Sequence, residues 1–217
     1  MSSRFIGKDL VCVRNERIVF DNLSFSMVEG SALVLRGPNG SGKSSLLRMM
    51  AGLLPPESGI LTWDGLDVTE DIHLHRTKLH YVGHQNAIKP MLTVAENLSF
   101  SAALKMGQID YRKALEKFEL IDFENLPVRL LSAGQMRRVA LARLVVSPAS
   151  LWLLDEPTSS LDMTAINLLH KTIANHRSSG GMVALALHDT LALESPMELD
   201  LTAYTPTHKK LSEQLQS

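Results

Sequence analysis

The sequence predicts a mixed α/β fold: a mostly parallel sheet covered on both faces, an antiparallel β layer near its start, and a helical subdomain inserted in the middle. Three observations predict it. Apolar runs of strand length (residues 32–35, 79–85, 151–156 and 182–187) alternate with stretches of helical periodicity, the pattern of strands joined by crossover helices. A glycine-rich loop, Gly37-Pro38-Asn39-Gly40-Ser41-Gly42-Lys43-Ser44, lies between one such run and a helical stretch that starts at Ser45. Between about residues 86 and 146 the pattern is helical throughout. At 217 residues the chain is expected to form one domain, with a core of residues 1–85 and 147–217 and the helical subdomain over about 86–146.

The elements follow in order. Residues 9–13 read as a strand and Arg14-Asn15-Glu16-Arg17 as a polar turn. Residues 18–20 and 23–28 read as two further strands of an antiparallel layer, with Asp21-Asn22 turning between them. Glu29-Gly30 leads into the run 32–35. After the helix over residues 45–51, Gly52 and Pro55-Pro56-Glu57-Ser58-Gly59 form a loop, and residues 60–63 with Asp64-Gly65 make a short strand and turn. The run 79–85 ends in a polar cluster, and from Asn86 the pattern turns helical, with apolar spacing of three and four over 94–105 and 111–120. Ser132 is placed to cap a helix reaching about Val146. Residues 151–156 form a buried strand ending in two acids. A helix begins at Leu161 or Asp162 and stops at Gly180-Gly181, residues 182–187 form a strand, and residues 199–204 a final edge strand. The tail from about Thr205 is expected at the surface.

Composition narrows the function classes. A formal charge of −1 gives no basic field for nucleic acid, which is not expected as a partner. The single cysteine, Cys12, excludes an internal disulfide and fits a small buried side chain on the first strand. The N-terminus lacks the apolar core of a signal peptide, and no run of apolar residues is long enough to cross a membrane.

The loop at residues 37–44 fits the pattern G-x-x-x-x-G-K-[ST], which makes this a P-loop nucleotide-binding core. Its glycines admit backbone conformations closed to other residues and bring N–H groups to phosphate oxygens. The helix start adds unpaired donors and a positive dipole end. Lys43 supplies a charge for the β- and γ-phosphates of a nucleoside triphosphate and Ser44 a hydroxyl for Mg²⁺. The apolar run ending in Asp155 puts a carboxylate at the C-terminal edge of the sheet, where ligands of open α/β sheets bind, so that Asp155 joins Ser44 as a candidate metal ligand. Glu156, next in the chain, is placed to activate a water as general base.

Leu131-Ser132-Ala133-Gly134-Gln135 resembles the signature motif of the ABC (ATP-binding cassette) ATPases. With the P-loop, Asp155-Glu156-Pro157-Thr158 and Ser160-Leu161-Asp162, the likeness extends over nearly the whole chain. It implies an ATPase that binds ATP and Mg²⁺ and works as a dimer of two copies, the ATP of one meeting Ser132, Gly134 and Gln135 of the other. It implies Gln85 as the glutamine that approaches Mg²⁺ and the attacking water, His188 as a histidine touching the γ-phosphate, and Asp162 as an aspartate working across the dimer. Ala133 stands where the family has a second glycine. Arg14 stands near where the family stacks an aromatic residue on adenine, and a guanidinium plane can take that place. With the sequence ending soon after its last core strand, the C-terminal regulatory domain that many importers carry is not expected.

A closer resemblance is to the ATP-binding subunits of bacterial cytochrome c maturation. It rests on the stretch 12–20 containing Arg14, on Tyr81-Val82-Gly83-His84-Gln85-Asn86-Ala87-Ile88-Lys89, on Leu98-Ser99-Phe100 and on the stretch 126–143 around the signature. It implies an ATPase peripheral to the cytoplasmic face of the bacterial inner membrane, paired with integral membrane subunits and powering haem delivery to a periplasmic haem chaperone. Residues 86–100 are the expected contact with the membrane partner. Alternatives are an exporter ATPase for another substrate, or a cytosolic ABC ATPase that transports nothing, such as one of iron–sulfur assembly.

Overall fold

The computed structural model describes residues 4–104, 110–187 and 193–206. Two sheets organise it. Strands β1 (Phe5–Arg14), β2 (Arg17–Met27), β4 (Ser58–Trp63) and β5 (Leu66–Asp67) form an antiparallel sheet in the order β2-β1-β4-β5. Strands β3 (Ala32–Arg36), β6 (Leu79–Val82), β7 (Leu151–Asp155), β8 (Met182–Ala186) and β9 (Met197–Asp200) form a second sheet in the order β6-β7-β8-β3-β9, with every pair parallel. Both layers that the sequence predicts are present.

Side-chain alternation along the parallel strands divides the core in two. Leu33 and Leu35 of β3, Leu151 and Leu153 of β7, and Met182 and Ala184 of β8 face helix α1 (Lys43–Met50) and the antiparallel sheet. Ala32 and Val34, Trp152 and Leu154, and Val183 and Leu185 face the opposite way. There they meet α5 (Ala133–Val146), α6 (Met163–Ser178) and the smaller helices α3 (Val94–Ala103) and α4 (Tyr111–Lys117). These central strands are apolar on both sides because both faces are covered. Cys12 is fully buried in β1, in the layer between the sheets.

Four local readings change. First, Asp21-Asn22 is not a turn. β2 runs unbroken, and Asp21 and Asn22 lie opposite the single residue Val11, between the pairs Leu10↔Leu23 and Cys12↔Phe20, as a β-bulge with Asn22 at φ +54°. The real turn is only Asn15-Glu16, both at positive φ, as a two-residue hairpin requires. Second, the helix expected from Asn86 begins only at Val94. The backbone over 86–93 is bound instead by side chains from elsewhere. Asn97, buried on α3, accepts from Lys89 N–H and donates to the carbonyls of Lys89, Leu92 and Thr93. Thr93 and Glu96 then close a capping box that starts α3. Third, the last strand ends at Asp200. Its carboxylate accepts from Thr202 N–H and hydroxyl and starts a 3₁₀ turn, Leu201–Tyr204, where a strand was expected. Fourth, the sequence reading missed the short helix α2 (Ile72–Thr77), whose buried residue is a histidine: His75 Nε2 donates to Met50 O at 2.8 Å. The tail beyond Pro206 lies outside the described residues.

On the far face of the sheet His176 of α6 stacks on Trp152, with ring centroids 3.8 Å apart and planes 3° from parallel, and its Nε2–H donates to Met182 O at 3.2 Å. Burial lowers the His176 pKa from 6.5 to about 4, against a smaller opposing effect of that hydrogen bond. The unfolded chain therefore takes up a proton below about pH 6.5 that the folded chain refuses down to about pH 4. The resulting stability is fully present above the upper value and is lost as pH falls between them. His176→Phe, which keeps a stacking ring, is expected to flatten the fall of the urea midpoint between pH 7 and pH 5 relative to the parent chain.

Candidate functional site: a nucleotide cavity over the phosphate loop

The phosphate loop connects β3 to α1. Gly37, Gly40 and Gly42 hold φ of +133°, +83° and +99°. Gly42 is the N-cap of α1, and a Cβ there would stand 2.7 Å from Val19 Cγ1 and 2.8 Å from Phe20 Cδ1, so both its dihedral and its surroundings require glycine. The helix start has no side-chain cap and no acidic residue in its first turn, which leaves its N–H donors for an anion. Ser41 Oγ is buried with no hydrogen-bond partner among the described residues. Lys43, itself buried, arches over the loop and donates to the carbonyls of Gly37 at 2.7 Å and Pro38 at 3.1 Å. A backbone cradle closed to Cβ atoms, an unused hydroxyl and a buried ammonium suit a polyphosphate.

The end of the loop meets β7 where Ser44 Oγ donates to Asp155 Oδ1 at 3.0 Å. These are two hard oxygen ligands side by side, the kind of pair from which Mg²⁺ completes its shell with water and phosphate oxygens. Glu156 follows on a left-handed backbone at φ +48°, with its N–H donating to Ala186 O at 3.0 Å. Around these groups lies an open cavity of about 580 Å³ lined by Arg14, Val19, Asn39, Gly40, Gly42, Lys43, Ser44, Ser45, His84 and Glu156. Arg14 and Val19 come from the β1–β2 hairpin. The register shift that leaves Val19 unpaired, between Cys12↔Phe20 and Val13↔Ile18, is what the sequence pattern could not foresee.

Not all the residues expected at the site converge there. Gln85 is exposed in the loop after β6, and its neighbour His84 lines the cavity instead, with Nδ1 3.7 Å from Glu156 Oε2. The sequence reading had His84 only as part of a polar cluster; a polar side chain one residue before a site glutamine was the available signal. Ser132, Gly134 and Gln135 lie at the start of α5 and outside the cavity. Ser132 Oγ accepts from Gln135 N–H, Gln135 Oε1 accepts from Ser132 N–H, and a Cβ on Gly134 would meet Ser160 O at 2.8 Å. Asp162 caps α6 and accepts from Arg138 Nη2 at 2.7 Å. The Ala165 N–H, with Arg138 beside it, holds its carboxyl below the ordinary range. His188 lies outside the described residues.

A second residue missed in the sequence is Arg137, buried beneath this site on α5. Burial lowers its pKa, opposed by the carboxylates of Asp155 and Glu156. Its signal was visible: Arg137 occupies the first position of an inward stripe that continues at Ala140, Leu141 and Leu144, where a charge needs partners.

Comparison with known proteins bears on the family and the fold. A family model described as ABC transporter matches residues 20–159. The chain is 50% identical, over 93% of its own length and 87% of the relative's, to the cytochrome c biogenesis ATP-binding export protein CcmA of Rhodospirillum rubrum. It is 48% identical to the protein of the same name from Paramagnetospirillum magneticum, over 93% and 95% of the two chains. Among solved structures, a putative ABC transporter ATP-binding protein from Pyrococcus furiosus superposes with a TM-score of 0.82, covering 94% of this chain and all of the other; at 23% identity this speaks for the fold alone.

Gly42→Ala tests the cradle. An alanine held in this left-handed conformation costs on the order of 1–3 kcal/mol, and its methyl group also displaces the hairpin residues over the loop. ATP affinity is expected to fall at least about tenfold in a binding titration, with a lowered thermal midpoint.

Proposed function

The chain belongs to the ABC transporter family of ATPases and binds ATP, and from that premise we propose that it is the ATP-hydrolysing subunit of an ABC export complex that powers haem delivery to a periplasmic haem chaperone during cytochrome c biogenesis. The observation that carries this reading is identity of 42–50% over most of the chain with proteins named for cytochrome c biogenesis and ATP-binding export. Arg14 on the cavity wall supports it, since the resemblance to this group includes an arginine near where the wider family stacks an aromatic residue on adenine.

In this reading two copies enclose two ATP molecules. Phosphates lie on residues 37–45 of one copy, and Ser132, Gly134 and Gln135 of the other close over the γ-phosphate, which explains why those residues stand outside their own chain's cavity. Asp162 works across the same dimer. Arg14 lies flat against the adenine ring, offering a guanidinium plane for stacking. Ser44 and Asp155, with Gln85, would hold Mg²⁺, which when bound would supply electrostatic stabilisation of the charge that develops on the phosphates. Glu156 takes the proton of the attacking water, and His188 contacts the γ-phosphate. Loss of that phosphate removes the charge that bridges the copies, and they separate.

The subunit sits peripherally on the cytoplasmic face of the inner membrane and docks on integral membrane subunits; among the described residues no helix is long and apolar enough to cross a membrane. Residues 86–100 are the proposed docking segment. Apolar side chains stand exposed there and just beyond, Met91 at 74%, Phe100 at 44% and Leu104 at 70%.

Two outcomes test the proposal. Glu156→Gln is expected to keep ATP binding and to lower turnover by about 10²–10⁴-fold, measured as phosphate release; turnover like that of the parent chain removes Glu156 as the base. A strain lacking the protein is expected to lose haem-attached c-type cytochromes on a haem-stained gel, and normal levels there would sink the assignment to cytochrome c biogenesis.

A further inference from the structure

Among the described residues Arg137 makes five hydrogen bonds, all to uncharged acceptors. Nη2 donates to Asp155 O at 2.9 Å and Glu156 O at 2.8 Å, and Nε donates to Pro157 O at 3.3 Å. Nη1 donates to Gly83 O at 2.8 Å and to Asn86 Oδ1 at 3.0 Å. One planar group thus holds three consecutive carbonyls of the turn after β7 and two acceptors of the loop after β6. Arg143, from the same helix, holds the carbonyls of Asn86 and Ala87 in that second loop.

The turn after β7 needs holding. Glu156 is in the left-handed region, which an L residue with a side chain leaves unless neighbours fix it. Arg137 grips the carbonyls on both sides of it, and Ala186 O grips its N–H. The main chain sets where the Glu156 carboxylate points, and the guanidinium sets the main chain. Arg137 itself is 3% exposed and does not line the nucleotide cavity.

We propose that Arg137 is a positioning residue for ATP hydrolysis: it aims Glu156 at the attacking water and ties that aim to the loop carrying Gln85. The inference rests on the reading of Glu156 as the general base. It places a determinant of turnover in the helix that begins with Ser132 and Gly134, so that a displacement of this helix or of the loop after β6 alters the base without touching the nucleotide.

The test uses the full chain and measures turnover per ATP-binding-competent molecule, ATP affinity and KM for Arg137→Lys, Arg137→Gln, Glu156→Gln and the double variants. Lysine keeps the charge and stem and carries the test should glutamine not fold. Because a misplacement of about 1 Å can cost on the order of a hundredfold in rate, kcat is expected to fall about ten- to a hundredfold, less for lysine than for glutamine, with KM and ATP affinity within about twofold. On a Glu156→Gln background, in single-turnover measurements, the Arg137 substitutions are expected to have no further effect, since groups acting as one unit are not additive. An unchanged kcat per binding-competent molecule with only a lower thermal midpoint overturns the inference and leaves a purely structural arginine. An additive loss on the Glu156→Gln background overturns it too. A fully active Glu156→Gln chain defeats the underlying reading of Glu156, a result distinct from active Arg137 variants beside an inactive Glu156→Gln.

Discussion

One row of the parallel sheet sets the whole cavity. Leu35 of β3, Ala186 of β8 and Asp155 of β7 lie side by side in register, so three chain segments far apart in sequence leave the sheet at the same level and the same edge. The phosphate loop departs from the first. The carbonyl of the second receives the Glu156 N–H, and the third receives the Ser44 hydroxyl. A one-residue slip of β7 against β8 reverses the faces of that strand and turns the Asp155 carboxylate away from Ser44. The continuous apolar runs that make these strands easy to recognise are therefore the same runs that fix the site.

Legibility followed the range of the interactions. The phosphate loop was readable because its chemistry dictates residue types within eight positions of chain, and the strand–loop–helix context is local as well. The bulge at Asp21-Asn22 was not, because a polar pair between apolar runs looks the same in a turn as in a bulge; only the register of β1 beside it decides. The loop over 86–93 read as helix because its backbone partners, Asn97 and Arg143, come from other elements. Helix α2 was missed because its inward position is taken by His75, satisfied by a carbonyl twenty-five residues back. At the site, motifs named residues but not distances. They could not say that His84 turns toward Glu156 while Gln85 stays exposed.

Helix α5 connects the parts that the cavity itself does not. Its first turn is sealed by the Ser132–Gln135 capping box and pressed by Gly134 against the Ser160 carbonyl. Its next residues reach in opposite directions. Arg137 goes inward to the turn after β7, while Arg138 goes outward, donating to Asp162 at 2.7 Å and to Glu119 at 3.1 Å. The outer pairs are partly solvated and contribute little on their own, so the helix is held mainly by its apolar stripe and by the buried guanidinium. The arrangement puts buried contacts beside Glu156 and partly solvated ones near the surface.

Burial of Cys12 has a practical consequence. It is the only thiol in the chain, and it sits on β1 where burial raises its pKa, against weaker effects of the Ser45 hydroxyl and Arg14. A folded molecule therefore offers alkylating reagents almost no thiolate, and modification waits for the antiparallel sheet to lift from α1. The chain carries its own chemical clock for that opening, and any cysteine introduced on its surface reports alone.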